Sequence, residues 1–230
     1  FFSTRKDTDL FSFEQTQKII SEFSPDLIIN AAAKVGGIHA NNRYGSSFLI
    51  ENLKININIL ESIIAYPNIR LINLGSSCIY PLNAKNPIKE EYFMTGKLEP
   101  TNSPYALAKI SGIELGKTLK KEFGHSVINL MPTNLYGPND NFSEMNSHVI
   151  PGLIHKMHIA KLTNDETFSI WGTGKPLREF LHVDDLSKGI MFISQNSIKE
   201  DLINIGSGNE ISIKELAKKI KEIVGFEGIL

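Results

Sequence analysis

The 230-residue chain is 41% hydrophobic and 21% charged, with a formal net charge of −1. That balance belongs to a globular protein with apolar mass for a core, and it gives no electrostatic basis for nucleic acid or an anionic membrane as main partner. No apolar run approaches the roughly 20 residues that span a bilayer, and one cysteine, Cys78, excludes an intrachain disulfide and fits a reducing, cytoplasmic setting.

In chain order, "SFEQTQKIISEF" (12–23) has apolar residues at helical spacing and a capping box, Ser12 with Gln15. "DLIIN" (26–30) is a short unbroken apolar run, the pattern of a strand buried on both faces. A long helix follows at 46–66, a second buried strand at 69–75, a helix at 103–124 and a strand at 126–132. Strands and helices alternating with short connections predict a parallel α/β sheet with right-handed crossovers. Beyond residue 132 a turn-rich stretch leads to a helix near 149–161, strands at "FSIWG" and "REFLHV", a helix from Asp184, and "INIG". The final helix, "SIKELAKKIKEIVG", carries a capping box of Ser212 with Glu215. This later part is expected to form a second lobe. The chain opens without Met on "FFSTRKDTDL" and closes just past a helix, so it reads as a piece of a longer protein.

Chemistry concentrates in "SPYALAKISG" and "LGSSCIYP". Tyr105 and Lys109 are four apart and share a helix face. The ammonium is expected to lower the phenol pKa, as suits proton donation to a carbonyl under reduction. Alone, that pair more often means a packed tyrosine and an exposed lysine. Ser76, at the carboxyl end of a predicted strand, changes the odds, because ligands of doubly wound sheets bind beyond those ends. Its hydroxyl can hold a substrate carbonyl while the tyrosine protonates it. The small residues of "NAAAKVGG" (30–37), after another strand, suit a backbone passing close to a flat cofactor. Ser, Tyr and Lys so placed resemble the short-chain dehydrogenase/reductases.

The resemblance narrows with "AAAKVGGIHANN" (31–42), "LGSSCIYP" (74–81), "LEPTNSPYALAKISG" (98–112), "MPTNLYGPNDNF" (131–142), "NSHVIP" (146–151) and "REFLHVDDL" (178–186). In this order they resemble the GDP-L-fucose synthase family, extended short-chain enzymes, from about residue 3 to 228. The resemblance implies a Rossmann-like doubly wound parallel sheet over 1–145, binding NADPH/NADP+. It implies a smaller, mainly substrate-binding α/β lobe over 146–230, with segments returning to the first domain. The N-terminal strand and glycine loop of the family are missing from the chain, as is its last segment. The implied activity converts GDP-4-keto-6-deoxy-D-mannose to GDP-L-fucose by inversion at C3 and C5 and reduction at C4, in a homodimer.

By the same resemblance, Cys78 and His148 form the acid–base pair for the inversions, with a Cys78 thiolate as base. Free values near 8.5 and 6.5 let both exchange protons near neutrality after modest tuning. Arg5 would hold the 2′-phosphate of NADPH, and Asp9 with Leu10 would lie by its adenine. Leu74, Ser76, Lys109, Pro132, Asn134, Leu135 and His148 would complete the cofactor contacts. Lys156 and Arg178 would meet the substrate diphosphate, and Trp171 would pack on guanosine. Asp184 and Asp185 look like a metal pair, but directly before a helix they are more simply N-cap and first-turn acids, and no metal is assigned. GDP-L-colitose synthase chemistry and a non-catalytic nucleotide-sugar-binding relative remain the alternatives.

Overall fold

The computed structural model describes residues 1–143 and 147–230. The expected lobe boundary at 145/146 and Asn146 of "NSHVIP" lie outside the described residues. The chain divides into two compact units, residues 1–132 with 189–205 and residues 133–188 with 206–230.

The first unit begins with α1 (Phe13–Phe23), β1 (Leu27–Asn30), α2 (Ile38–Arg43), α3 (Gly45–Ile63) and β2 (Arg70–Leu74). It continues through single 3-10 turns at Ser77–Ile79 and Glu90–Tyr92 to α4 (Ser103–Phe123) and β3 (Val127–Pro132). The Ser12 hydroxyl caps α1 by accepting the Gln15 N–H. The reciprocal half of the expected box is not made, because the Gln15 side chain accepts the Asp9 N–H instead. α4 starts with a proline in its first turn and stops at Gly124, whose φ of 79° is costly for any residue with a Cβ. β1, β2 and β3 pair in parallel, and the later β6 (Leu202–Ile205) adds beside β3, giving the order β1-β2-β3-β6. Every residue of β3 is buried, as befits a strand that is apolar except for Asn129. The α/β fold with a parallel Rossmann-type sheet is thus the one expected. Leu60, Ile63, Leu71 and Leu119 pack α3 and α4 onto the sheet. A Cβ on Gly112 would lie 2.8 Å from the Asn56 amide nitrogen, so glycine lets the two helices meet.

The second unit contains β4 (Asn134–Tyr136), α5 (Val149–Leu162), β5 (Leu177–His182), the start of α6 (Val183–Gln195), β7 (Glu210–Ser212) and α7 (Ile213–Val224). β5 pairs in parallel with β4 and antiparallel with β7. Met157, Leu216, Ala217 and Ile220 form the core between α5 and α7. The Ser212–Glu215 capping box is present in full. One expectation fails and another shifts by a single residue. "FSIWG" is not a strand: Thr167 makes one isolated bridge to Ile229, and Gly172 and Gly174, at φ 73° and 68°, turn the chain away. α6 begins at Val183, so Asp184 and Asp185 lie in its first turn, and the His182 ring accepts the Asp184 N–H.

Candidate active site

At the carboxyl end of β2 the chain leaves the sheet, and Ser76 caps the 3-10 turn that follows, accepting the Cys78 N–H at 3.4 Å. The Ser76 hydroxyl also pulls the Cys78 thiol and the Tyr105 phenol downward in pKa, so one hydroxyl acts on two proton-active groups. One turn along α4 from Tyr105, Lys109 is 2% exposed and donates from Nζ to the Leu74 carbonyl at 2.8 Å. Its ammonium stands 5.7 Å from the centre of the Tyr105 ring. Ser76, Cys78, Tyr105, Lys109 and Leu74 are thus brought together.

The electrostatics depart from expectation at two residues. Burial holds the Tyr105 phenol well above the usual value, with Cys78 adding to the rise and the Ser76 hydrogen bond opposing it. The expected lowering by Lys109 does not occur. Desolvation disfavours the phenolate and decides the direction. Burial also pushes the Cys78 thiol up to about 11, against smaller opposing pulls from Ser76 and Lys109. A thiol, not the expected thiolate, is the state at neutral pH. Lys109 is pushed down to about 8 by burial, opposed by Cys78.

The remaining expected cofactor contacts are spread over both units. Arg5 is exposed and lies over the Phe11 ring at 5.2 Å. The Asp9 carboxylate accepts the Phe11 N–H, and the Leu10 carbonyl accepts the Asn58 amide. Pro132 ends β3; Asn134 and Leu135 open β4, where the Asn134 amide donates to the Glu179 carbonyl. The fit to a nucleotide cofactor rests on unspent polar groups. Among the described residues Lys109 makes one hydrogen bond with its three donors, and the buried Thr133 hydroxyl, between Pro132 and Asn134, has none. Such groups suit a ribose.

His148, Lys156, Trp171 and Arg178 belong to the second unit. His148 is exposed at the N-cap of α5. The Lys156 ammonium sits 4.2 Å from the centre of the Trp171 ring, which is 70% exposed. Arg178 donates to the Leu177 carbonyl.

One feature escaped the sequence reading. Asn30, Asn73 and Asn129 face one another in register across β1, β2 and β3, all buried. Each donates its amide to the next carbonyl oxygen, Asn30 to Asn73 at 2.8 Å and Asn73 to Asn129 at 3.2 Å. Asn129 ends the row on the Asp201 carbonyl. The Asn30 oxygen accepts the Ala32 N–H and so fixes the start of the "AAAKVGG" loop. The signal was present: "IIN", "LIN" and "VIN" each set an asparagine after two apolar residues.

A model of the NAD dependent epimerase/dehydratase family matches residues 3–206. GDP-L-fucose synthase 1 of Arabidopsis thaliana is 48% identical over 227 residues, 99% of this chain and 70% of that protein. GDP-L-colitose synthase of Yersinia pseudotuberculosis is 38% identical over 225 residues, covering 97% of this chain and 73% of that protein. A solved GDP-L-fucose synthetase from Naegleria fowleri bound to NADP superposes with a TM-score of 0.92 at 31% identity, covering 100% of this chain and 71% of that one. The resemblance drawn from the motifs is borne out over nearly the whole chain, which belongs to the NAD dependent epimerase/dehydratase family.

Proposed function

We propose that the protein is an NADPH-dependent epimerase–reductase that converts GDP-4-keto-6-deoxy-D-mannose to GDP-L-fucose. The observation that carries this reading is that Ser76, Cys78, Tyr105 and Lys109 meet beyond the end of β2, with the Ser76 hydroxyl acting on both the thiol and the phenol. A proton-exchanging thiol and a proton-donating phenol are thereby gathered at one point, as successive chemistry on one sugar ring requires.

In this mechanism Ser76 donates to the C4 ketone oxygen, and the polarised carbonyl acidifies the neighbouring C3 and C5 protons. Cys78 and His148 remove and return those protons, inverting both centres. Tyr105, kept protonated by burial, then delivers a proton to the C4 oxygen. When bound, the dinucleotide supplies the hydride to C4. Lys109 would hold its ribose with its unspent donors, and Leu74, Pro132, Asn134, Leu135 and His148 would border the nicotinamide. Arg5 would take the 2′-phosphate, with Asp9 and Leu10 at the adenine. Lys156 and Arg178 would engage the diphosphate, and the exposed face of Trp171 would stack on guanine.

The first unit is thus assigned to the dinucleotide and the second mainly to the nucleotide sugar. Ile50, Ile57 and Ile64, at seven-residue spacing along and just past α3, are 52%, 43% and 37% exposed, which supports a homodimer through that face. The half-buried free thiol of Cys78 suits the cytoplasm. Among the described residues no helix is long and apolar enough to cross a membrane.

The 38% identity to a GDP-L-colitose synthase makes the 3,6-dideoxy keto sugar the second candidate substrate. Parallel turnover of both GDP-keto sugars with NADPH tests the proposal. GDP-L-fucose formed at the higher kcat/KM supports it, preference for the dideoxy sugar selects the second reading, and turnover of neither overturns both.

A further inference from the structure

The loop after β1 is tied to α3 by more than its role as a cofactor border requires. The Lys34 N–H donates to Asn52 Oδ1 and the Asn52 side-chain amide donates to the Lys34 backbone carbonyl, both at 3.0 Å. The Lys34 ammonium bonds Ser47 and Glu51. Ser47 and Glu51 form one i,i+4 row on α3; Phe48 and Asn52 form the row beside it. Lys34 also lies over the Phe48 ring, 5.7 Å from its centre.

Phe48 is 2% exposed, yet it belongs to none of the four apolar clusters that build the two cores. On one side it meets the loop: a Cβ on Gly36 would lie 3.1 Å from Phe48 Cζ, so glycine lets the loop close on the ring. On the other it meets Tyr105, edge to face, at 6.3 Å and 86°. The ring is wedged between the loop and the phenol-bearing side chain.

We infer that Phe48, held in place by Lys34, is the positioning residue for Tyr105, an inference that rests on the reductase reading above. Tyrosine turns about two side-chain bonds, and a proton donor misplaced by about 1 Å can lose roughly a hundredfold in rate. Ser76 acts on the phenol oxygen, and Phe48 packs against the ring. Lys34 fixes the wedge through its contacts with Ser47 and Glu51. The buried Phe48 ring also keeps water from the part of the Tyr105 ring it touches. Changing it should impair proton delivery at C4 while leaving proton exchange at C3 and C5, which belongs to Cys78 and His148.

The test uses Phe48→Leu and Lys34→Met, with wild type as reference. Three quantities are read: NADPH oxidation with GDP-4-keto-6-deoxy-D-mannose, solvent-deuterium exchange at C3 and C5, and the pH profile of kcat. Phe48→Leu should lower kcat for reduction by about 10- to 100-fold, with KM for both ligands and the exchange rate within about threefold. The alkaline limb of its kcat profile should move to lower pH as water reaches the phenol. Lys34→Met should move kcat the same way by about 3- to 10-fold, and it carries the test alone if the leucine variant does not fold. Folded variants with unchanged kcat, or with reduction and exchange falling together, overturn the positioning role. A wild-type protein that exchanges and reduces nothing overturns the functional reading and this inference with it.

Discussion

Tyr105 and Lys109 stand one helical turn apart, a spacing at which the ammonium would pull the phenol down if both faced water. Burial reverses the sign, because desolvation acts on the phenolate more strongly than a neighbour already bonded to Leu74. The donor therefore stays protonated across neutral pH. Tyr105→Phe should cost about 10²- to 10⁴-fold in NADPH oxidation while C3 and C5 exchange with solvent survives; undiminished reduction by this variant would remove Tyr105 from the mechanism. Cys78 follows the same physics with the opposite consequence. A base works only when deprotonated, and a thiol near 11 holds little thiolate at pH 7. Exchange should therefore climb with pH, about tenfold per unit between about pH 7 and 9. Cys78→Ser should abolish that rise and release a D-series GDP-6-deoxyhexose after slow reduction. A pH-independent exchange rate, or normal GDP-L-fucose formation by the serine variant, contradicts the assignment. Which residues meet was legible from Ser76, Tyr105 and Lys109, whose spacing fixes strand end and helix face. Their protonation was not, since burial is set by packing from α3 and the sheet.

The elements named from the sequence are those whose pattern is local. α1, α3, α4 and α7 have helical periodicity, caps or both, and β1 to β3 are short, mostly apolar runs. β4 and β7, three residues each, have too little sequence to show a period and exist because β5 lies between them. "FSIWG" has a strand-like composition, but its Phe168 and Ile170 pack into the α5–α7 core instead of a ladder. The asparagine row adds a constraint that periodicity cannot express. A one-residue slip of β1, β2 or β3 would break it and leave amides unpaired in a dry sheet. Asn73→Ala strands the Asn30 donor and the Asn129 acceptor at once, and should lower unfolding free energy by about 2–4 kcal/mol. Urea denaturation measures this, and a loss under about 0.5 kcal/mol would show that the row contributes little.

At the scale of the whole molecule, cofactor choice and reaction outcome are the properties to account for. Arg5 is exposed, its guanidinium rests on Phe11, and among the described residues no ion pair holds it. Only NADPH offers it a 2′-phosphate. Arg5→Ala should weaken NADPH by about 10- to 100-fold and NADH little, read by titration of each dinucleotide; equal losses would place Arg5 elsewhere. The central claim is that one Ser76-centred site first exchanges protons and then reduces the same ring. The most direct measurement is a reaction in deuterium oxide with GDP-4-keto-6-deoxy-D-mannose and NADPH, followed by NMR of the purified sugar nucleotide. The account predicts GDP-L-fucose carrying solvent deuterium at C3 and C5 and cofactor-derived hydrogen at C4. A product of the D-series, or GDP-L-fucose without deuterium at C3 and C5, would contradict it.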